Sequence, residues 1–154
     1  QAIPSFSPEH FAVVEIEDAL RRNKLTKGLD QLAEECTIQV FRQPNMGSKG
    51  AVVGAVGILQ FEVLKQRLDS EYGVEVNLRN LDFSHARWVD GPGFDADEFN
   101  RKNYTKVLID KDDLPIVLFR NDWALERVQD QYPDLRFLPN PPGTPGLEEV
   151  HSDD

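Results

Sequence analysis

The sequence has 154 residues, of which 40% are hydrophobic and 29% are charged, as expected for one folded domain or two very small ones. Its net charge of -10 argues against broad nonspecific nucleic-acid binding, which needs a dense cationic surface. No apolar run approaches the roughly 18 residues of a membrane span. The single Cys36 excludes an intrachain disulfide framework and any multi-cysteine metal site, and it fits a reducing compartment.

The first half of the chain alternates between strand and helix periodicity. The chain begins without Met and without a signal pattern, so we expect a piece of a longer protein whose residues 1–10, rich in proline, form a linker. The predicted elements are a strand at 11–17, a helix with an apolar stripe over 25–36, strands at 37–42 and 51–59, a helix at 61–72 ended by Gly73, and a strand at 74–78. This β-α-β-β-α-β order is typical of a ferredoxin-like layer, an antiparallel sheet with two helices on one side.

A second set of elements of similar kind follows. Asp95 is a predicted N-cap, Glu98 would close a capping box, and Phe94 would staple onto Phe99. The predicted elements are a strand at 83–89, a helix from 95 to about 103, a hairpin of 106–109 and 115–119, a helix opened by residue 121 or 122, and a strand at 135–138. We therefore predict an α+β fold, with a ferredoxin-like layer (about 11–81) followed by a second, smaller α/β unit (about 82–138) packed with it. Residues 139–154, rich in proline and acidic side chains, are expected to be disordered.

Two glycine motifs resemble parts of nucleotide sites. The segment from Gly47 to Gly50 contains a Gly-Ser-Lys-Gly run, but a phosphate loop needs a helix after the glycines, and here a strand follows. The segment from Asp90 to Gly93 fits D-x-x-G, a four-residue pattern expected by chance. Without a phosphate loop, we predict no catalytic or nucleotide-binding residue in this chain.

The other candidate side chains also favour structural roles. The histidines at 10, 85 and 151 are too far apart for a metal site, and Ser84 and His85 are adjacent in a strand, so their side chains point to opposite faces. The turn containing Asp110 lacks the glycine and glutamate spacing of an EF-hand and is interpreted as a solvated turn. No metal ligands are predicted.

One basic cluster stands out in this acidic chain: Arg21, Arg22, Lys24 and Lys27, with no acidic residue between Ala19 and Leu29. Residues three apart on a helix share a face, so Arg21, Lys24 and Lys27 can point the same way. The cluster is either a solvated helix face or a contact to phosphate backbone, where such cations position the protein without reading sequence.

Several segments together resemble the C-terminal domain of peptide chain release factor three, the bacterial class II release factor. The likeness spans about residues 6–138 and rests on FSPE (6–9), LTKGLDQLAEE (25–35), IQVFR (38–42), VGAVGILQF (53–61), RLDSEYGVE (67–75), ARWV (86–89), FNRKN (99–103) and ERVQDQYPDLRF (126–137). Ordered matches over that length are far more specific than any single motif. The tail beyond 138 departs from the pattern.

The resemblance implies a function for the longer protein. The family is a translational GTPase with a G domain, a β-barrel domain and this α/β third domain, and it promotes the departure of class I release factors from the ribosome. The resemblance therefore implies that this chain is a cytoplasmic, ribosome-contacting arm, with GTP or GDP and magnesium bound upstream and no membrane involved. The alternative is a stand-alone ferredoxin-like module that binds or hydrolyses a small molecule, although no loop end collects convergent polar residues.

Overall fold

The computed structural model describes residues 8–44 and 50–142. A short 3-10 turn, Ala19–Arg21, precedes the first α-helix. The strands and α-helices are β1 (His10–Ile16), α1 (Arg22–Glu35), β2 (Gln39–Arg42), β3 (Ala51–Ala55), α2 (Leu59–Tyr72), β4 (Val76–Asn80), β5 (His85–Asp90), α3 (Ala96–Asn100), β6 (Thr105–Ile109), β7 (Pro115–Phe119), α4 (Asp122–Gln131) and β8 (Arg136–Leu138). The α+β class is thereby confirmed. The predicted tail from 143 onward and the Gly47 loop at 45–49 lie outside the described residues.

The first unit, β1 to β4 with α1 and α2, has the predicted ferredoxin-like topology. Its strands lie in the order β4-β1-β3-β2, and each neighbouring pair is antiparallel. Both helices pack on one face of this sheet, over an apolar cluster that includes Leu25, Leu64 and Val53. Helix α2 ends at Gly73, whose φ of 66° is the left-handed C-cap conformation that glycine adopts without strain.

The second unit, β5 to β8 with α3 and α4, repeats the topology of the first. Its element order is again β-α-β-β-α-β, and its strands lie in the order β6-β7-β5-β8, the first unit's order in mirror sequence. All three pairings are antiparallel. The sequence predicted a further α/β unit packed with the first, and the structure adds that it is a second copy of the same arrangement.

The two units join edge to edge through β2 and β6. Arg42 lies opposite Ile109 in a single antiparallel register pair, which makes one continuous sheet of eight strands. The Arg42 side chain also donates to the backbone oxygen of Asp110 over 3.4 Å and forms an ion pair with Asp113. One short bridge therefore links two otherwise complete layers.

The sheet folds over at this bridge, so that the two units also pack face to face. On β1, Ala12 and Val14 point toward the helices of their own unit, whereas Phe11 and Val13 belong to a cluster with strands of the second unit. That shared cluster contains Phe11, Val13, Phe41 and Val52 from the first unit and Ala86, Trp88, Leu108, Ile116, Leu118 and Leu138 from the second. The layers run helix, sheet, sheet, helix, which explains why the central strands are apolar on both faces.

The strand at 51–59 is shorter than the sequence predicted, because β3 ends at Ala55 and α2 begins at Leu59. Gly54 lies inside the strand rather than in the turn that follows. A Cβ atom there would lie 2.9 Å from Cγ of Pro8 and 3.1 Å from Cε2 of Phe41. The absence of a side chain at Gly54 therefore lets these two rings approach the backbone.

Helix α3 begins as predicted and ends earlier. Asp95 is the N-cap and accepts from the Asp97 N–H over 3.0 Å. The Phe94 and Phe99 rings are 5.1 Å apart, as the staple predicts. The helix ends at residue 100 rather than near 103, because the Asn100 side chain accepts from the backbone N–H of Val107 over 2.8 Å. Instead of closing a capping box, Glu98 accepts a hydrogen bond from the hydroxyl of Tyr132, the C-cap residue of α4.

Candidate functional site

The basic cluster lies at the start of the first helix, where β1 turns back over the sheet. Asp18 caps the 3-10 turn by accepting from the Leu20 N–H over 3.0 Å. Arg21 lies in that turn, and Arg22, Lys24 and Lys27 lie in α1 itself. The four cations are thus divided between two helical elements, which changes how they point.

Arg21 is held by contacts within the fold. Its Nη1 donates to the backbone oxygen of Gly73 over 3.0 Å, and its Nε lies 3.4 Å from the Asp18 carboxylate. Gly73 is the C-cap of α2, so this arginine binds the carbonyl end of the second helix, where a cation is favoured by the helix dipole. Arg21 therefore positions the start of α1 against the end of α2.

Two of the three remaining cations face outward. Lys24 and Lys27 are exposed and form no ion pair with any residue in 8–44 or 50–142, and Arg22 is half-buried. Next to Lys24 on the helix surface, α1 is pressed against α2, where a Cβ at Gly28 would lie only 2.8 Å from Cδ2 of Leu68. The close helix packing fixes which face of α1 the solvent reaches.

An acidic cleft of about 500 Å³ lies beside Arg21. Arg21 lines it together with Asn77 and the backbone of the second helix's end. Its carboxylates are Glu15, Glu17, Asp18, Asp69 and Glu75. Neither Lys24 nor Lys27 lines this cleft.

The other predicted candidates have structural partners. Nε2 of His85 lies 2.8 Å from the Asp122 carboxylate, at the start of α4. Burial raises the pKa of the Cys36 thiol, so the thiol stays protonated and unreactive at neutral pH. Within the described part of the chain, no group of three histidine, cysteine or carboxylate side chains is placed to hold a metal ion.

Asp110 corrects the interpretation of its turn as solvated. Its side chain is only 6% exposed, and it accepts from the indole N–H of Trp88 over 2.8 Å. Its other oxygen accepts from the backbone N–H groups of Asp112 and Leu114, both over 2.9 Å. This buried carboxylate organises the β6–β7 turn. Sequence reasoning missed it because its main partner is a tryptophan on another strand.

A second surface feature was also missed. Trp123, near the start of α4, is 57% exposed, and the Arg127 guanidinium lies 5.5 Å from its ring centre. The Tyr104 ring meets it edge-on at 5.4 Å, and Lys102 lies 6.0 Å from the Tyr104 ring centre. The sequence could reveal this group of rings and cations only if the segment before β6 and the helix α4 were known to be adjacent.

The sequence model of the class II release factor RF3, C-terminal domain, matches residues 1–129 of the chain. The chain belongs to this family. It is 45% identical over 137 residues to peptide chain release factor 3 of Symbiobacterium thermophilum, a match covering 89% of this chain and 26% of that protein. It is 42% identical over 136 residues to peptide chain release factor 3 of Synechocystis, covering 88% and 25%. The chain thus spans about a quarter of the length of these relatives.

Membership of the RF3 family places the fold in a known context without assigning roles to single residues. The basic cluster of α1 falls within the matched range, and so does the Trp123 surface. Among the described helices, none combines the length and the apolar character that crossing a membrane requires. The candidate contact residues Arg21, Arg22, Lys24 and Lys27 stay a prediction.

Proposed function

We propose that this chain is the ribosome-contacting arm of a translation termination GTPase that promotes the release of class I release factors from the ribosome. The observation that carries the proposal is the RF3 family match over residues 1–129. GTP or GDP and magnesium are assigned to the part of the protein that the chain does not include, and the G domain and β-barrel domain are proposed to precede residue 11. The site of action is the cytoplasm, where ribosomes are.

The architecture suits an arm that moves as one body. The two βαββαβ units share a close-packed core in which Trp88, Phe41 and Ile116 are almost completely buried. Cores packed at this density transmit displacement rather than absorb it. A change of nucleotide state elsewhere in the protein would therefore be expressed as a rotation of this whole domain against the ribosome.

Within the arm, we assign the ribosomal RNA contact to Arg22, Lys24 and Lys27. The two lysines are exposed and lack partners among the described residues, so meeting a phosphate breaks no existing ion pair. Arg21 acts by positioning the start of the helix through Gly73. Such contacts supply salt-dependent affinity and orientation, and they carry no sequence information.

The test is a charge reversal in the full-length protein. The triple variant Arg22→Glu, Lys24→Glu, Lys27→Glu should weaken ribosome association and lower its salt dependence by about 0.7 to 0.9 per lost phosphate contact. Release-factor recycling should fall in parallel. Because exposed charges contribute about 1 kcal/mol or less to stability, the melting curve should stay close to that of the parent protein.

A matched control reverses three cations elsewhere. Lys65, Arg101 and Lys111 are all exposed, so their triple reversal to Glu changes the net charge by the same amount. The control should retain ribosome affinity and recycling. If both triples lose affinity equally, the effect is one of net charge, and if neither does, the α1 face is not the contact. Arg21→Gln, tested alone, should lower thermal stability and leave the salt dependence of ribosome binding nearly unchanged.

The alternative of a small-molecule module has less support. A mainly apolar cleft of about 500 Å³ lies between α1 and the β2–β6 bridge, lined among others by Leu29, Phe41 and Ile109. Its charged lining residues are Asp30, Arg42, Asp110 and Lys111, and two of these are already engaged: Arg42 bonds at the bridge, and Asp110 holds Trp88 and its own turn. The family match therefore favours the arm.

A further inference from the structure

Exposed apolar side chains are concentrated at the start of α2. Four of the six large hydrophobic residues that are exposed in the described chain lie within eight consecutive positions. They form what we call the 56–63 patch: Val56 (44% exposed), Ile58 (47%), Leu59 (75%) and Val63 (46%). Single exposed apolar residues are ordinary, but a concentration of this kind marks a surface that is covered in the functional state.

The helix that carries the patch is apolar on two sides. Its inner side, formed by Phe61, Leu64 and Leu68, is buried against the sheet and α1. Leu59 and Val63 are four residues apart, so they share the outer side. The first turns of α2 therefore bear apolar side chains both on the core side and on the solvent side, and the solvent side is left to pack against another surface.

The patch is held rigidly rather than carried on a loose turn. The Gln60 side chain accepts from the Gly57 N–H over 2.7 Å. It also donates to the backbone oxygens of Cys36 and Thr37, over 3.0 and 2.7 Å, at the end of α1. These bonds fix the turn between β3 and α2, so the patch is presented in one arrangement.

The chain enters the domain beside this patch. The backbone N–H of Glu9 donates to the oxygen of Ala55 over 3.1 Å, and His10 lies opposite Ala55 in the β1–β3 ladder. Pro8 is buried and packs on Gly54. Pro8 and Glu9, which directly precede β1, therefore lie at the end of the sheet from which Val56 projects.

We propose that the 56–63 patch is the docking surface for the part of the full-length protein that precedes residue 8. The relatives are about four times as long as the matched region, which the family description places at the C-terminal end. Whatever domain comes before this one is attached beside the patch, at an effective concentration that favours contact. Interfaces within one chain are commonly about 600–1,500 Å² and only partly apolar, a range that four exposed side chains and their neighbours can begin to fill.

The inference rests on the proposed function only in requiring preceding domains, and its test needs no ribosome. In the full-length protein, Leu59→Cys and the control Leu20→Cys are labelled with a maleimide under native conditions, and each site is quantified by peptide mass. Leu20 is 92% exposed and lies at the opposite end of β1, against 75% for Leu59. Without docking, the labelling rates of the cysteines at 59 and 20 would lie within about twofold of each other. Docking should make labelling at 59 at least about tenfold slower than labelling at 20.

A second pair of variants tests the same contact without thiol chemistry. Leu59→Asp in the full-length protein should speed protease cleavage in the segment that precedes residue 8 several-fold, while Leu20→Asp should leave cleavage unchanged. Equal labelling rates and equal cleavage would overturn the inference. So would protection at 59 that appears only when ribosomes are added, which would assign the patch to the ribosome instead. Protection at 59 in a full-length protein that does not recycle class I release factors would count against the proposed function alone.

Discussion

The two units of this domain share one topology and build their cores from different side chains. In the first, two helices of 14 residues each cover a cluster of mainly Leu, Val and Ile. In the second, the helices have 5 and 10 residues, and rings fill the space between helices and sheet. Those rings are Phe99 and Phe119, which are buried, and Phe94, Tyr104, Tyr132 and Phe137, which are partly buried.

The difference shows how a short helix can cover one face of a sheet. Helix α3 contributes a single fully buried side chain, Phe99, which lies 5.1 Å from the Phe94 ring and 4.8 Å from the Tyr132 ring between centres. An aromatic side chain buries about 150–250 Å² and gains further from tilted ring contacts. One ring therefore does for α3 what a stripe of aliphatic residues does for α1.

The equivalent helix starts also differ. In the first unit, α2 follows Ile58, which makes no side-chain capping bond, and the exposed residues beside it are apolar. In the second unit, α4 follows Asn121, whose side chain accepts from the Ala124 N–H over 2.9 Å. Its exposed large apolar residue is Trp123, whose ring contacts the Arg127 guanidinium. The α4 start is thus capped and leaves one ring exposed, whereas the α2 start lacks a side-chain cap and has four exposed apolar residues beside it.

The largest expected effect is the loss of the ring on which α3 depends. Phe99→Ala should lower the free energy of unfolding by about 3–5 kcal/mol, because it leaves a cavity surrounded by rings that cannot collapse into it. Leu68, on α2, is equally buried and packs against α1. Leu68→Ala should cost about 2–5 kcal/mol and less than Phe99→Ala. Urea unfolding of both variants decides the comparison. A larger loss at Leu68 would show that the first unit is the more vulnerable.

A second prediction tests whether the second unit depends on Asp110 as a buried hydrogen-bond acceptor. Asp110→Ala leaves the Trp88 indole and two backbone N–H groups without their acceptor, and it should cost about 3 kcal/mol. Asp112→Ala, in the same turn but exposed, should change stability by about 0.5 kcal/mol or less. Differential scanning calorimetry of the two variants is the measurement. Similar melting temperatures would mean that water replaces the carboxylate.

The start of α3 should depend on its cap. Asp95→Ala should cost about 0.5–2 kcal/mol, since it removes the acceptor for the Asp97 N–H. Asp97→Ala removes only a favourable charge in the first turn and should cost clearly less. Urea melts of the two variants, with the same slope, check this. Equal losses would place the start of the helix elsewhere.

The smallest effect concerns the alkaline range. The hydrogen bond to the Glu98 carboxylate raises the pKa of Tyr132 to about 12. The folded form then holds its proton more tightly than the unfolded form, so this stabilisation is present below about pH 10 and is lost as the pH rises toward about 12. Tyr132→Phe should cost about 1 kcal/mol at about pH 8 and should flatten the alkaline loss. Urea melts of both proteins at about pH 8 and between about pH 10 and 12 measure this difference. If stability falls with alkaline pH equally in the two proteins, the hydrogen bond is contradicted.

The sequence by itself determined what depends on neighbours along the chain. Periodicity predicted the order of the elements, and the caps at Asp95 and Gly73 lie where residue type predicted them, because each cap bonds within a few positions of itself. Asn121 is one of the two residues predicted to open α4. The strand and helix ends at Ala55 and Asn100 were predicted less well. Contacts with other elements lie at both ends: Gln60 in the turn after β3 bonds to the end of α1, and Asn100 bonds to β6.

Only the tertiary structure decided how the pieces meet. The β2–β6 bridge, the folding of one sheet onto itself, and the role of Asp110 all join segments distant in sequence. The same holds for the basic cluster. Arg21 is separated by 52 positions from the carbonyl that it binds, so its spacing with Lys24 could not reveal that it contacts the end of α2. Local patterns fix backbone hydrogen bonds and apolar faces, but which faces pair depends on the closure of long loops and on the fit of side chains that meet only after folding.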